Sequence, residues 1–222
     1  MIAYHWDFGP VWRNLDVLAL GGLATLKLTA FCLLLSVPIG LVVAIMRLSG
    51  NRLLTAVAVV YTEFFRTAAS IVLIFWFFFA FPLLISVDLD AFWAALLAIG
   101  LQGGAYFAEV FRGAILSVVR GQWEAAKAIG MSRIATLRYI VLPQAVRRIV
   151  PVLFTRTTLL LKTTTLASAI AYPDVVYTAF RVSSDTYRPI ETFTVVGGIF
   201  FLTIFSMARF SGWIERRLAL PQ

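Results

Sequence analysis

Glu63 and Arg66 stand three residues apart, and Glu109 and Arg112 repeat that spacing further along the chain. On a helix, positions i and i+3 share a face, so each couple can form a local ion pair, or one pair can form across two helices. Lys162 is followed by Thr163, Thr164 and Thr165, a cation flanked by hydroxyls. It could hold a carboxylate or pair with an acidic neighbour such as Glu63 or Glu109. Glu124 opens a further group, Glu-Ala-Ala, with Gly130 close behind. Residues for enzymatic chemistry are scarce. His5 is the only histidine and Cys32 the only cysteine, so metal-ligand spacing, an intrachain disulfide and a Ser–His or Cys–His set are all missing. His5 reads as a solvated surface histidine and Cys32 as a packed small side chain. No metal site is expected, and the phosphate-binding pattern Gly-x-x-x-x-Gly-Lys-Ser/Thr is absent from the sequence.

The elements that must position these groups are apolar. Of 222 residues, 61% are hydrophobic and 14% charged, with a mean hydropathy of +0.90. A soluble domain holds about 45–50% apolar and about 25% charged residues. The apolar residues run continuously rather than alternating, which excludes a membrane β-barrel. Charge-free runs cover Leu28–Met46 (19 residues), Thr67–Val87 (21), Ala91–Ala108 (18) and Thr192–Ala208 (17), and Ile149–Pro173 is interrupted only by Arg156 and Lys162. Each is close to the roughly 20 residues that a membrane helix needs. The sequence therefore predicts an all-α integral membrane protein of about five transmembrane helices. Their expected bounds are residues 20–46, 54–85, 89–111, 149–172 and 191–211. No signal peptide is expected in the first 14 residues, which lack a basic start and a cleavage site.

Charge placement orients the spans. With the N-terminus outside and the C-terminus inside, twelve basic residues fall in inner segments and three in outer ones. Most acids, among them Asp7, Asp88, Asp90, Asp174 and Glu191, fall outside. This is the bias of the positive-inside rule, and it accounts for the net charge of +8 without a nucleic-acid partner. Residues 1–20 are then an outer segment, 112–148 an inner loop and 213–222 an inner tail. Glu63, Arg66, Glu109 and Lys162 lie at membrane depth, where an ionisable group costs about 2.5–3.5 kcal/mol and is a functional candidate by default. The run Phe75-Trp-Phe-Phe-Phe79 needs no more than an all-round apolar helix.

The inner loop is patterned. Trp123 to Ile129 are good helix formers, Gly130 suits a left-handed helix end, and Ser132 can cap a second helix with apolar positions Ile134, Leu137 and Val141. Pro143 is expected to end or kink that helix. Local physics leaves two uses open for this helix–turn–helix, docking against another protein or anchoring to anionic lipid headgroups.

Glu124-Ala125-Ala126, three residues, Gly130, nine residues, Ile140, one residue and Leu142-Pro143 match at every position the EAA-loop consensus of ABC importer permeases. Thr25-Leu-Lys-Leu-Thr29, Met46-Arg-Leu-Ser49, Glu63-Phe-Phe-Arg66, Ala105-Tyr-Phe-Ala-Glu109-Val-Phe-Arg-Gly113 and Gly121-Gln-Trp-Glu124 resemble blocks of the polar amino-acid branch of that family. The likeness runs from about Gly21 to Arg217.

The resemblance implies a type I ABC transmembrane domain over residues 21–212, in the bacterial cytoplasmic (inner) membrane. It implies two ATPase subunits docked on the loops, a second permease chain (a copy or a sister subunit), an extracytoplasmic solute-binding protein and a polar amino acid as solute. ATP and magnesium would belong to the ATPase, with no cofactor on this chain. Carried over by position, Glu124, Ala125, Ala126 and Gly130 form the coupling helix, while Ile140, Leu142 and Pro143 lead into the fourth span. Lys162, Thr163, Thr164, Glu63, Arg66 and Glu109 are candidates for the solute path. Two departures bear on the solute: the family often has Lys-Asp-Thr-Ser-Leu where this chain has Lys162-Thr-Thr-Thr-Leu166, and Arg-Gly-Thr-Pro-Leu where it has Arg66-Thr-Ala-Ala-Ser70. They fit a cargo other than a common basic amino acid, an opine or compatible solute for instance, or a partner permease that holds the solute. A stand-alone secondary transporter with a Lys162–Glu109 ion relay is the rival class, but no internal repeat supports it.

Overall fold

The structure, a computed structural model, describes residues 4–218; the expected roles of residues 1–3 and 219–222 in the two terminal segments lie outside the described residues. All regular structure among the described residues is helical. In chain order the helices are α1 (Gly9–Arg13), α2 (Leu15–Leu48), α3 (Arg52–Thr67) and α4 (Ser70–Ile85, π-helical over Trp76–Ala80). Then come α5 (Ala91–Leu116), α6 (Arg120–Ala128), α7 (Arg133–Thr136), a π turn (Leu137–Val141), α8 (Leu142–Thr164) and one stretch of 3-10 helix (Thr165–Ile170). The chain finishes with α9 (Val175–Thr186) and α10 (Pro189–Leu218).

Three helices, within α2, α5 and α10, are each long and apolar enough to cross a membrane, and α3 with α4 makes a fourth if counted as one broken span. The expected second span is thus not one continuous helix. Ala68 and Ala69 are extended between α3 and α4. The stretch expected as the fourth span, residues 149–172, is helical through Ile170, α8 to Thr164 and 3-10 helix beyond it. α8 carries Arg147, Arg148, Arg156 and Lys162, and length and composition alone support up to four crossings among the described residues.

The chain divides into two compact units. The first is built from Met1–Leu34, Ala69–Gly100 and Leu159–Ser206. Its core joins Val11 and Leu18 to Val175, Ala179 and Val182 of α9 and Val196 of α10. Hydroxyl groups bind α2 to the end of α8 and to the residues leading into α9. Thr25 Oγ1 accepts from the Val175 amide at 3.1 Å. The Thr29 and Thr164 hydroxyls share a hydrogen bond of 2.9 Å, and the Tyr172 hydroxyl donates to the Ala24 carbonyl at 3.0 Å. Asp174 caps α9 by accepting from the Tyr177 amide at 2.8 Å. The N-terminal segment is strapped to the start of α10, where buried Glu191 accepts from the Tyr4 hydroxyl at 2.5 Å and the Asp7 amide at 3.0 Å.

The second unit is built from Leu35–Ala68, Leu101–Thr158 and Met207–Gln222. α2 and α5 touch backbone to backbone at glycines. A Cβ on Gly40 would lie 2.6 Å from Phe107 Cβ and 2.9 Å from the Ala108 amide nitrogen. α3 packs beside this crossing through Ala58 and Tyr61, against Val43 and Ala108. The end of α3 is fixed by side chains from α5. Gln102 Nε2 donates to the carbonyls of Phe65 at 3.1 Å and Ala68 at 2.8 Å, and the Tyr106 hydroxyl donates to that of Arg66 at 3.3 Å. These bonds satisfy carbonyls that a terminating helix leaves open. A second core patch joins Ala114 and Val118 to Val141, Ala145 and Ile149, with Trp123 packed against it.

Candidate functional site

Both candidate sites in the second unit are assembled by these packings. The first is the helix pair of the inner loop. Trp123 packs against the core patch, and Ala126 is almost fully buried. This leaves Glu124, Ala125 and Ala128 exposed on the outward face of α6. Glu124 pairs with Arg120 one turn back at 3.1 Å, and both side chains are well exposed. An exposed i,i+4 pair of this kind contributes only about 0.3–0.5 kcal/mol, so the Glu124 carboxylate is available to a partner.

Gly130 ends α6 with φ +76°. Its amide donates to the Lys127 carbonyl at 3.0 Å, and the Met131 amide donates to the Ala126 carbonyl at 3.0 Å. That is a Schellman closure, which a left-handed glycine adopts without the Cβ penalty. Ser132 then caps the next helix by accepting from the Ala135 amide at 3.2 Å. Of the apolar positions expected to face inward, Val141 is buried and Leu137 half-buried, but Ile134 is exposed. Pro143 does not end the second helix. The ladder loosens into the π turn Leu137–Val141 just ahead of it, which accommodates the missing amide, and α8 continues. Ile140 is half-buried, while Leu142 and Pro143 are exposed at this joint.

The second site is ionic. The two couples Glu63/Arg66 and Glu109/Arg112 are not separate. The Glu109 carboxylate accepts from Arg112 Nε at 3.1 Å and Nη2 at 2.8 Å, receives Arg47 of α2 on its other oxygen, and lies 3.8 Å from Arg66 Nη1. Glu63 reaches the same Arg66 nitrogen at 3.8 Å from a more exposed position. Arg47 also approaches the Thr62 hydroxyl at 3.4 Å. Helices α2, α3 and α5 therefore meet on one carboxylate. Sequence reasoning placed Arg47 only as an inner-loop cation and did not single out Gln102; the sequence signal for Gln102 was an amide inside an otherwise apolar run.

Lys162, in the first unit, is exposed near the end of α8. Among the described residues it has no ion pair. The hydroxyls beside it are already used. Thr163 donates to the Leu159 carbonyl at 3.0 Å, Thr164 to that of Leu161 at 2.8 Å, and Thr165 to that of Lys162 at 2.8 Å. They serve the place where the α-helix tightens into 3-10.

Among the described residues the chain is all-helical, with long apolar spans and a two-helix loop between them. The family model for the binding-protein-dependent transport system inner membrane component matches residues 36–220, and the chain belongs to that family. It is 34% identical to the octopine transport system permease OccM of Rhizobium meliloti over 226 residues, covering 95% of this chain and 92% of that one. It is 29% identical to the glutamine permease GlnP of Escherichia coli K12, covering 97% and 99%. In solved structures it resembles an amino acid ABC transporter with histidines, with a TM-score of 0.92 and 29% identity over 96% of this chain and all of that one. A methionine ABC transporter, MetNI, shares the fold at a TM-score of 0.76 and 18% identity, covering 94% and 99%.

The chain is a non-catalytic, multi-pass permease subunit of an inner-membrane ABC importer. ATP hydrolysis resides in a separate subunit, and a solute-binding protein is part of the system.

Proposed function

We propose that the chain forms the translocation path for a polar amino acid or an amino-acid-derived zwitterion of the opine class, and that α6 with Gly130 receives the ATPase. The outward, exposed face of Glu124, Ala125 and Ala128 on a helix anchored by Trp123 and Ala126 carries the coupling reading. A surface of small residues admits close approach, and the Schellman turn holds its angle. Ile140, Leu142 and Pro143 link the loop to α8, so motion at α6 reaches the span that bears Lys162. In this reading α8 is a fifth crossing despite its cations, the N-terminus lies outside and the C-terminus inside. A second permease chain, a copy or a sister, completes the pathway, and ATP with magnesium is bound by the ATPase.

For the solute, relatives named for glutamine, arginine, octopine and nopaline support an α-amino-acid backbone as the shared feature. Lys162 is the residue proposed to meet the solute carboxylate, because it is exposed and unpaired among the described residues. Thr163 and Thr164 shape the wall beside it. Glu63, Arg66 and Glu109 act as a clamp on α2, α3 and α5 that keeps the inner end of the path rigid. The test is uptake of labelled amino acids and opines by proteoliposomes holding the assembled importer and its binding protein. One of these solutes accumulates with ATP, and Lys162→Met abolishes uptake while the complex still assembles. Normal uptake by that variant overturns the solute-path assignment, and accumulation without ATP overturns the transport class.

A further inference from the structure

Where α2 and α5 end, the second unit holds an open cavity of about 870 Å³. Ile45 and Leu48 of α2, Ile115 and Leu116 of α5, and Trp123 of α6 form its apolar wall, and Lys127 is the ionisable side chain among its described lining residues. Lys127 is exposed and has no ion pair among the described residues. The lining hydroxyls are occupied by their own helices, Ser49 donating to the Met46 carbonyl at 2.8 Å and Thr136 to that of Ser132 at 3.0 Å. At the rim Ile134 is 79% exposed, an expense for an apolar side chain in water. Among the described residues the cavity thus offers hydrocarbon walls and a free ammonium, at the depth where two apolar spans end.

The geometry points to a binding site for an anionic phospholipid, its acyl chain in the cavity and its phosphate on Lys127. Apolar surface continuous with the spans matches a chain drawn from the bilayer, and a cation at the interface matches an anionic headgroup. A second copy of this chain is a poorer occupant. The helical segments that supply Trp123, Lys127 and Leu137 to the cavity also carry Arg120 and Arg138, and a copy would bring the same charges. A partner on Glu124, Ala125 and Ala128 would meet the side of α6 that turns away from Trp123 and Lys127.

Trp123 is the reporter. The assembled importer is reconstituted with phosphatidylglycerol or phosphatidylcholine brominated on the acyl chain, and the Trp123 contribution is the difference between the natural chain and Trp123→Phe. Brominated phosphatidylglycerol is expected to quench that contribution at several-fold lower mole fraction than the phosphatidylcholine. Lys127→Gln removes the preference and Lys127→Arg keeps it. Native mass spectrometry of the detergent-solubilised complex, which needs no tryptophan variant, should retain phosphatidylglycerol adducts that Lys127→Gln loses. Equal quenching by both lipids, a preference that survives Lys127→Gln, or no Trp123 quenching at all because a protein segment fills the cavity each overturns the assignment. Transport is not read in either experiment, so its failure leaves the solute reading untouched.

Discussion

Arg47, at the end of α2, donates to the carboxylate of Glu109 in α5, 62 residues further along the chain. The same carboxylate holds Arg112 and faces Arg66, so one anion meets guanidinium groups from three helices, sharing only Arg66 with Glu63. Its side chain is 19% exposed, against 61% for Glu63. The two glutamates are therefore unequal, although their sequence spacing to arginine is identical.

Glu109→Gln leaves Arg47 and Arg112 without their counter-ion in a half-dry setting, and Arg66 with Glu63 alone. A fully buried pair broken in this way loses about 3–5 kcal/mol, and the residual solvent here reduces that to about 1–3 kcal/mol. Glu63→Gln, at an exposed pair, should change stability by less than about 1 kcal/mol. Thermal unfolding of the solubilised chain measures both. Equal losses would contradict a network centred on Glu109.

Gly40 and Gly22 lie in the same helix and differ in surroundings. Gly40→Ala drives a methyl against backbone and Cβ atoms of α5, whereas a Cβ on Gly22 meets nothing within 4 Å among the described residues. The first should destabilise by about 1–3 kcal/mol through overpacking. The second should be neutral or stabilise by up to about 1 kcal/mol, since alanine is the better helix former. Melting temperatures of the two variants decide it.

Asp174 is fully buried, and its second carboxylate oxygen, Oδ2, has no hydrogen-bond partner among the described residues. Burial pushes its carboxyl up to about 6, against the backbone amides that favour the charged form. A carboxyl raised above its unfolded value stabilises the fold at low pH, and that contribution is lost as pH rises through the folded value. The first unit should therefore gain stability from Asp174 as pH falls from about 6 toward about 4, by up to about 3 kcal/mol. Asp174→Asn, which keeps an oxygen for the Tyr177 amide, should remove this dependence and be the more stable form at pH 7. The difference between the two pH–melting curves is the readout; parallel curves would contradict it.

Gly130→Pro forces φ to about −65° where the loop requires the left-handed region, and removes the amide that closes on Lys127. Solute-stimulated ATP hydrolysis by the reconstituted importer should fall at least ten-fold. Undiminished stimulation would show that the angle between α6 and α7 is not part of coupling.

The inner loop was the most legible part of the sequence because its signals are local. Gly130 as a left-handed terminator and Ser132 as a cap act within a few residues, and the structure places both as their chemistry requires. Ile134 departs from its expected inward position because helical spacing records a face but not what covers it. The break between α3 and α4 lay beyond sequence reasoning, because Gln102 and Tyr106 fix it from another helix and Ala68 and Ala69 carry no breaker signal of their own. Glu109 showed the same limit: its i+3 arginine could be read, whereas Arg47 arrives only through the α2–α5 crossing at Gly40. Helix α9 could have been found. Asp174 is a standard capping residue, and charge placement alone reads it only as an outer acid.

The central claim is that the face of α6 bearing Glu124 and Ala125 lies on the cytosolic side and meets the ATPase. Ala125→Cys, in a chain with Cys32→Ala, gives one target for a membrane-impermeant maleimide. Labelling should occur in inside-out vesicles, should be blocked when the ATPase subunit is bound, and should fail in right-side-out vesicles. Labelling in right-side-out vesicles, or labelling unaffected by the ATPase, would contradict the account.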